Sequence, residues 1–267
     1  MQIQHLRNAT IIVTLGSHRI LVDPMLAPRG TLPPLRILGG PGLGGRQRNP
    51  LVDLPAGTDA ALDGVTHALI THCQKGHFDH LDRAAKRWLR ERNIPVVCSP
   101  EDAAHLRARG LDARPLPADH AQPSPFLGGR IRTVRCTHGR GLVGRFMAHG
   151  VGYLIELPGE PSLYLSGDTV LTPAVEAFVT RHRPDVSVVP AGGAKFDVGG
   201  EIIMGIDEVV ALCRIAPGIV IANHLEALGH CPETRAGLAE AARRAGIGDR
   251  LRIPEDGEVL TFRGAGD

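Results

Sequence analysis

Thr71-His-Cys-Gln-Lys-Gly-His-Phe-Asp-His-Leu-Asp82 is the stretch on which the reading of this chain turns. It puts His72, His77, Asp79 and His80 directly behind Thr66-His-Ala-Leu-Ile-Thr71, a short apolar run that reads as a buried strand. Asp82 to Asn93 follows with helical spacing, Ala85, Trp88 and Leu89 falling on one face. A strand end is a rigid place from which to present side chains. Imidazole and carboxylate together are good ligands for zinc, iron or manganese.

Three further residues sit after strands in the same way. His138 ends Thr133-Val-Arg-Cys-Thr-His138, Asp168 ends Tyr164-Leu-Ser-Gly-Asp168, and His224 ends Ile219-Val-Ile-Ala-Asn-His224. Taken singly, each reads as a hydrogen-bonded loop histidine or a capping aspartate. Taken together, they describe strand ends that converge on one edge, which is how a metal site is assembled from residues distant in sequence.

The surrounding pattern is one of alternating elements. Thr10–Thr14 and Arg19–Val22 read as a β-hairpin turning at Gly16-Ser17. Residues 24–55 are rich in Gly, Pro and Arg and lack either period, so they read as a long loop. Pro95–Cys98 reads as a strand. Ser99 caps a helix with Pro100 in its first turn, and Gly110 is expected to end it. In the second half, strands at 130–136, 152–157, 162–165, 186–189, 219–222, 251–253 and 258–262 alternate with helices at 172–182, 207–215 and 233–245. Each half starts with hairpins and continues with alternating β and α, a pattern that suits stacked sheets covered by helices. No segment reads as a linker, so residues 1–267 are expected to form a single domain.

Composition narrows the function classes. The 267 residues carry a net charge of +2, with no basic stripe, so no nucleic-acid partner is expected. There is no run of about 18 apolar residues, so no membrane span is expected. No signal peptide is apparent. The five cysteines are odd in number and irregularly spaced, which suits reduced thiols in a cytoplasmic protein better than a disulfide framework. Thirteen histidines exceed what packing requires. Neither a G-x-S-x-G elbow nor a P-loop is present.

With these residues in view, the chain resembles the metallo-β-lactamase superfamily, in particular the branch similar to L-ascorbate-6-phosphate lactonase and other metal-dependent hydrolases. The resemblance runs through Ile20-Leu-Val-Asp-Pro24, the His72–Asp82 segment, Gly152-Tyr-Leu-Ile-Glu156, Tyr164-Leu-Ser-Gly-Asp-Thr169 and the strand before His224. It implies an α/β fold of the αββα type, two mixed sheets flanked by helices, with the metals at one edge. The family's H-x-H-x-D-H signature is altered here. One register makes His77, Asp79 and His80 its last three ligands and puts Lys75 in the place of the first histidine, a vacancy that His72 fills if the loop bulges. The other starts at His72 and puts Gln74 and Gly76 where the second histidine and the aspartate belong.

The resemblance further implies that His138, Asp168 and His224 complete the ligand set, with Asp168 bridging two metals and Asp79 both binding metal and positioning the attacking water. The cofactor is one or two divalent ions, zinc with manganese or iron as alternatives. Asp23 is expected to orient a ligand from behind. Lys195, Glu226 and His230 are candidates for substrate contact or for supporting the ligands, His230 also for an extra ligand, while Cys73 and Cys231 read as bystanders. Arg29, Arg36, Arg46 and Arg48 could form a lid suited to phosphate or carboxylate. The implied substrate is a small ester, lactone or phosphoester. A fold that kept its metal but lost turnover, acting as a binding or sensor protein, is the competing reading, and a diiron redox role a weaker one. Relatives in this branch often assemble, so a homo-oligomer is compatible with the resemblance.

Overall fold

The computed structural model describes residues 1–34, 47–74, 76–117, 120, 122–147, 150–196 and 199–264. Lys75, Arg36 and Arg46 therefore lie outside the described residues.

Two seven-stranded mixed sheets form the body of the molecule. The first half supplies β1 (Gln2–Arg7), β2 (Thr10–Leu15), β3 (His18–Val22), α1 (Thr58–Leu62), β4 (His67–Leu69), α2 (Arg83–Glu91), β5 (Val96–Cys98), α3 (Pro100–Arg107) and β6 (Ala113–Pro115). The second supplies β7 (Ser124–Phe126), β8 (Gly129–Arg135), α4 (Gly141–Phe146), β9 (Val151–Glu156), β10 (Leu163–Leu165), α5 (Pro173–His182), β11 (Val186–Pro190), α6 (Ile206–Ile215), β12 (Ile219–Asn223), α7 (Arg235–Ala245), β13 (Leu251–Arg252) and β14 (Val259–Thr261). Strand order is β14-β1-β2-β3-β4-β5-β6 in one sheet and β13-β12-β11-β10-β9-β8-β7 in the other. In each, antiparallel pairs at one side give way to parallel strands at the other. Closing the chain, β14 returns to the first sheet and pairs with β1.

The two-residue period of the strands explains the layering. Ile11, Val13 and Leu15 of β2, Leu163 and Leu165 of β10, and Val186 and Val188 of β11 share one cluster between the sheets. The alternate positions point the other way. Ile12 and Leu21 join Ala85, Leu89 and Leu106 beneath α2 and α3, and Tyr164 and Val189 join Val175, Leu212 and Leu238 beneath α5, α6 and α7. Strands covered on both faces read as near-continuous apolar runs. With aromatic residues only 3% of the chain, aliphatic side chains fill most of this core.

Helix ends follow local chemistry. Ser99, Thr172 and Thr234 accept from the backbone N–H three residues on, as N-caps do, and Gly246 ends α7 in the left-handed region. Asp82 caps α2 through Oδ1 to the Ala85 N–H at 2.7 Å, while its Oδ2 accepts from the Ala27 N–H at 2.6 Å. One expectation shifts: α3 ends at Arg107, and Gly110 (φ 72°) closes the turn that follows. The long loop is irregular where described, with one bridge between Leu32 and Asn49. The strands β1, β6 and β7 and the helices α1 and α4 are additions to the sequence reading; all are three to six residues long, too short for periodicity to register. All five cysteines are free thiols, and among the described residues no helix is long and apolar enough to cross a membrane.

Candidate metal centre

Pairing directions decide where the strand ends lie. In the first sheet β3 runs parallel to β4. In the second, β8 and β10 both run antiparallel to β9, and β10, β11 and β12 are parallel to one another. The carboxyl ends of β3, β4, β8, β10 and β12 therefore bring Asp23, His72, His138, Asp168 and His224 to one edge, where they meet His77, Asp79 and His80.

Seven of these side chains form two donor groups. His72, His77 and His138 make one, and Asp79, His80, Asp168 and His224 the other, with potential ligand atoms within 4.8 Å of one another in each. Asp168 joins the two. Its Oδ2 lies 3.1 Å from His80 Nε2, 3.5 Å from His224 Nε2, 3.7 Å from His138 Nε2 and 4.0 Å from His72 Nε2. Asp79 Oδ2 is 3.3 Å from His224 Nε2 and 3.4 Å from His80 Nε2. His72 stands beside His77, with ring centroids 4.4 Å apart.

Every one of the five rings turns Nε2 toward this centre and spends Nδ1 on a supporting partner. His77 Nδ1 donates to the Gln74 carbonyl at 2.6 Å and His138 Nδ1 to the Ile202 carbonyl at 2.8 Å. His80 Nδ1 donates to Asp23 Oδ2 at 3.0 Å. Thr71 Oγ1 gives its own proton to Asp23, so it accepts from His72 Nδ1 at 3.0 Å. His224 Nδ1 meets Cys231 Sγ at 3.5 Å. Such partners fix tautomer and ring orientation in metal-ligating histidines.

This pattern leaves a charge problem that a cation solves. With Nδ1 carrying the proton in His77 and His138, two Nε2 lone pairs face each other 3.1 Å apart. Burial pushes His138 down to about 4, so its own ring brings no second proton to that contact at neutral pH. His72 Nε2, His224 Nε2 and Asp79 Oδ1 are buried without a hydrogen-bond partner. Burial disfavours charge on His80, but Asp168, Asp79 and Asp23 outweigh it and hold the ring well above its ordinary value. Conversely, burial opposes ionisation of Asp168, but His80 and His224 hold its carboxyl well below the usual range. An all-nitrogen group beside a mixed carboxylate and imidazole group fits divalent zinc, iron or manganese.

Asp23 stands behind the ligands. Its carboxylate accepts from the Thr71 N–H at 2.8 Å, from Thr71 Oγ1 at 2.7 Å and from His80. The backbone there is left-handed (φ 43°), as it is at His224 (φ 60°) and Glu226 (φ 58°), a conformation that costs energy outside glycine. Asp23→Asn replaces an acceptor of three bonds by a group with one acceptor atom. It is expected to weaken metal binding by about 10- to 100-fold, read by chelator competition. Unchanged affinity would show that His80 needs no such support.

Other expectations are corrected. Glu226 does not face the centre: its carboxylate takes the Arg235 N–H at 3.0 Å and Arg235 Nη1 at 2.6 Å, at the start of α7. Lys195 gives its backbone N–H to the His230 carbonyl, and its side chain does not line the cavity beside the centre. Of the arginines expected to form a lid, Arg48 bonds the Gly30 and Thr31 carbonyls of its own loop and Arg29 is exposed, while Arg36 and Arg46 lie outside the described residues. Cys231 is no bystander, since it touches His224; Cys73 is buried beside Asp102.

Two supports had little signal in the sequence. Asn8, in the β1–β2 turn (φ 58°), accepts from the His224 N–H at 2.9 Å through its carbonyl and donates from Nδ2 to the Asp79 carbonyl at 3.4 Å. Gly192 leaves room for the His224 carbonyl, which would lie 2.2 Å from a Cβ at that position.

A cavity of about 90 Å³ opens beside the two groups. His77, Asp79, His138, Asp168 and His230 form its polar wall, and Met147, Ala194, Phe196 and Ile202 its apolar one.

Comparison with known proteins agrees with this architecture. The family model described as "Beta-lactamase superfamily domain" matches residues 18–225. The chain is similar to the UPF0173 protein YddR of Bacillus subtilis, 34% identical over 98% of this chain and 100% of that protein. A UPF0173 metal-dependent hydrolase of Xanthobacter autotrophicus is 30% identical over 61% of this chain and 66% of its own length. Among solved structures, the isothiocyanate hydrolase from Delia radicum gut bacteria superposes with a TM-score of 0.88 at 28% identity, covering 99% of this chain and 100% of that one. The chain belongs to the beta-lactamase superfamily domain family, and several of its relatives are named UPF0173 metal-dependent hydrolases.

Proposed function

We propose that this chain hydrolyses a small uncharged substrate by directing water at an electrophilic carbon, an isothiocyanate or a compact ester or lactone. The observation that carries this reading is the cavity wall. One side is the two-group donor cluster; the other is the apolar Met147, Ala194, Phe196 and Ile202. Burying an anionic phosphoester against that apolar wall would cost more than burying an uncharged substrate. The similar solved enzyme acts, by its name, on isothiocyanates, which are small and neutral.

Divalent ions held by the two groups would polarise the water and the substrate's electrophilic atom. The chain's own part is positional. Asp79 lines the cavity with Oδ1 buried and unpartnered, and accepts a hydrogen bond from the attacking water, orienting it. Asp168 balances the charge shared between the two groups. The apolar wall excludes bulk water from the reacting carbon.

Metal-loaded protein assayed on allyl isothiocyanate, γ-butyrolactone, 4-nitrophenyl acetate and bis(4-nitrophenyl) phosphate tests this. At least one carbon electrophile is expected to exceed the phosphodiester by about 100-fold or more in kcat/KM, roughly 2.7 kcal/mol of discrimination. Equal or faster phosphodiester cleavage overturns the substrate class. Full metal content with no turnover on any of the four would favour a binding or sensor protein.

A further inference from the structure

His230 belongs to neither donor group, yet it lines the same cavity as Asp79 and Asp168. It is 4% exposed, and neither ring nitrogen has a hydrogen-bond partner among the described residues; Nδ1 is fully buried. Buried polar atoms in folded proteins are almost always paired, so an imidazole kept without a partner against a cavity has a use outside the folded chain itself.

The ring is also oriented by its neighbours. It stacks on Phe196 with centroids 6.1 Å apart and planes 14° from parallel. Its carbonyl accepts from the Lys195 N–H at 3.1 Å, and the preceding Gly229 N–H donates to Asn49 Oδ1 at 3.0 Å. Asn49 is itself buried in the long loop. A ring oriented by stacking and anchored through its backbone on both sides is preorganised for a ligand that enters the cavity. Burial pushes His230 down to about 4, and cations in the adjacent groups would act in the same direction. The ring is therefore neutral, with one N–H donor and one lone pair.

We propose that His230 is a substrate-contacting residue, whose imidazole hydrogen-bonds the heteroatom of a small uncharged electrophile and sets its carbon over the Asp79 and Asp168 side of the cavity. This rests on the hydrolase reading above and adds the residue that would select an uncharged, hydrogen-bonding substrate.

The test uses His230→Phe, which keeps the stacking partner for Phe196, and His230→Asn, which restores a hydrogen-bonding group. Two readouts are taken on metal-loaded protein: kcat/KM on the fastest substrate of the four, and the dissociation constant of N-allylformamide, a neutral and hydrolytically inert probe, by NMR titration. Metal content and thermal midpoint are measured for each variant. His230→Phe is expected to retain its metal and its midpoint, to lose about 30-fold or more in kcat/KM and to bind the probe about tenfold more weakly, with His230→Asn recovering part of both. Probe binding within twofold of wild type, no binding of the probe by wild type, or loss of metal from His230→Phe would each overturn the proposal. Since probe binding needs no turnover, a wild type that binds the probe through His230 but hydrolyses nothing would refute the hydrolase reading alone.

Discussion

Asp168→Ala is expected to abolish the metal pair. Wild-type protein should carry close to two equivalents by inductively coupled plasma mass spectrometry, and the variant fewer than one. The reason is geometric: Asp168 Oδ2 lies within 4.0 Å of Nε2 on four of the five histidines, so it contributes to both groups at once. Without it, the two donor groups retain Asp79 as their one carboxylate, with Asp23 behind His80. Turnover should fall by on the order of a thousandfold or more, since polarisation of the water is lost. His77→Ala makes the comparison informative, because His77 belongs to the all-histidine group alone. It should lose one equivalent and keep the other. Two equivalents retained in Asp168→Ala would sink the bridging role, and near-zero metal in wild type after supplementation would sink the metal centre altogether.

Much of this centre was legible because ligands are chemically conspicuous and follow strands. His72, His77, Asp79, His80, His138, Asp168 and His224 could be picked out one strand end at a time, and the αββα order followed from alternating runs such as Val186–Val189 and Ile219–Ala222. What stayed hidden is what holds the ligands. The Ile202 and Gln74 carbonyls that orient His138 and His77 are backbone groups, which every residue has. Asn8 looks like any turn asparagine, and Cys231 like any buried thiol, until His224 is placed beside each. Glu226 misled for a related reason: closeness in sequence to His224 says nothing about direction once the backbone turns left-handed at both residues. Short elements escaped too. The helix α4, Gly-Leu-Val-Gly-Arg-Phe, carries two glycines that weaken any helical signal.

Arg7 supplies the largest effect on stability, and no motif announced it. Its side chain is fully buried. Nη2 donates to the Met25 and Ala27 carbonyls at 2.7 and 2.9 Å, and Nη1 to the Val52 carbonyl at 3.1 Å. One guanidinium thereby ties both ends of the long loop to β1. Burial lowers its pKa to about 10, with Asp82, Asp256 and Asp53 opposing, so it stays charged at neutral pH. Arg7→Met fills the volume but leaves three carbonyls without donors and removes a cation from among carboxylates. The expected loss is about 3–5 kcal/mol, read from the urea midpoint at constant m. Arg7→Lys should lose less, because one ammonium keeps the charge but lacks the planar fork that reaches both sides. The consequence should extend to the centre. The loop's Asn49 holds the Gly229 N–H, and its Leu51 N–H holds the Ala227 carbonyl, so this loop braces the segment running from His224 to His230. Metal affinity in Arg7→Met is therefore expected to fall together with stability, more at the Asp79, His80, Asp168 and His224 group than at the all-histidine group. A loss of stability below about 1 kcal/mol would mean that the loop is held by its other contacts; a full loss with unchanged affinity would mean that His224 is set by Asn8 and Cys231 alone.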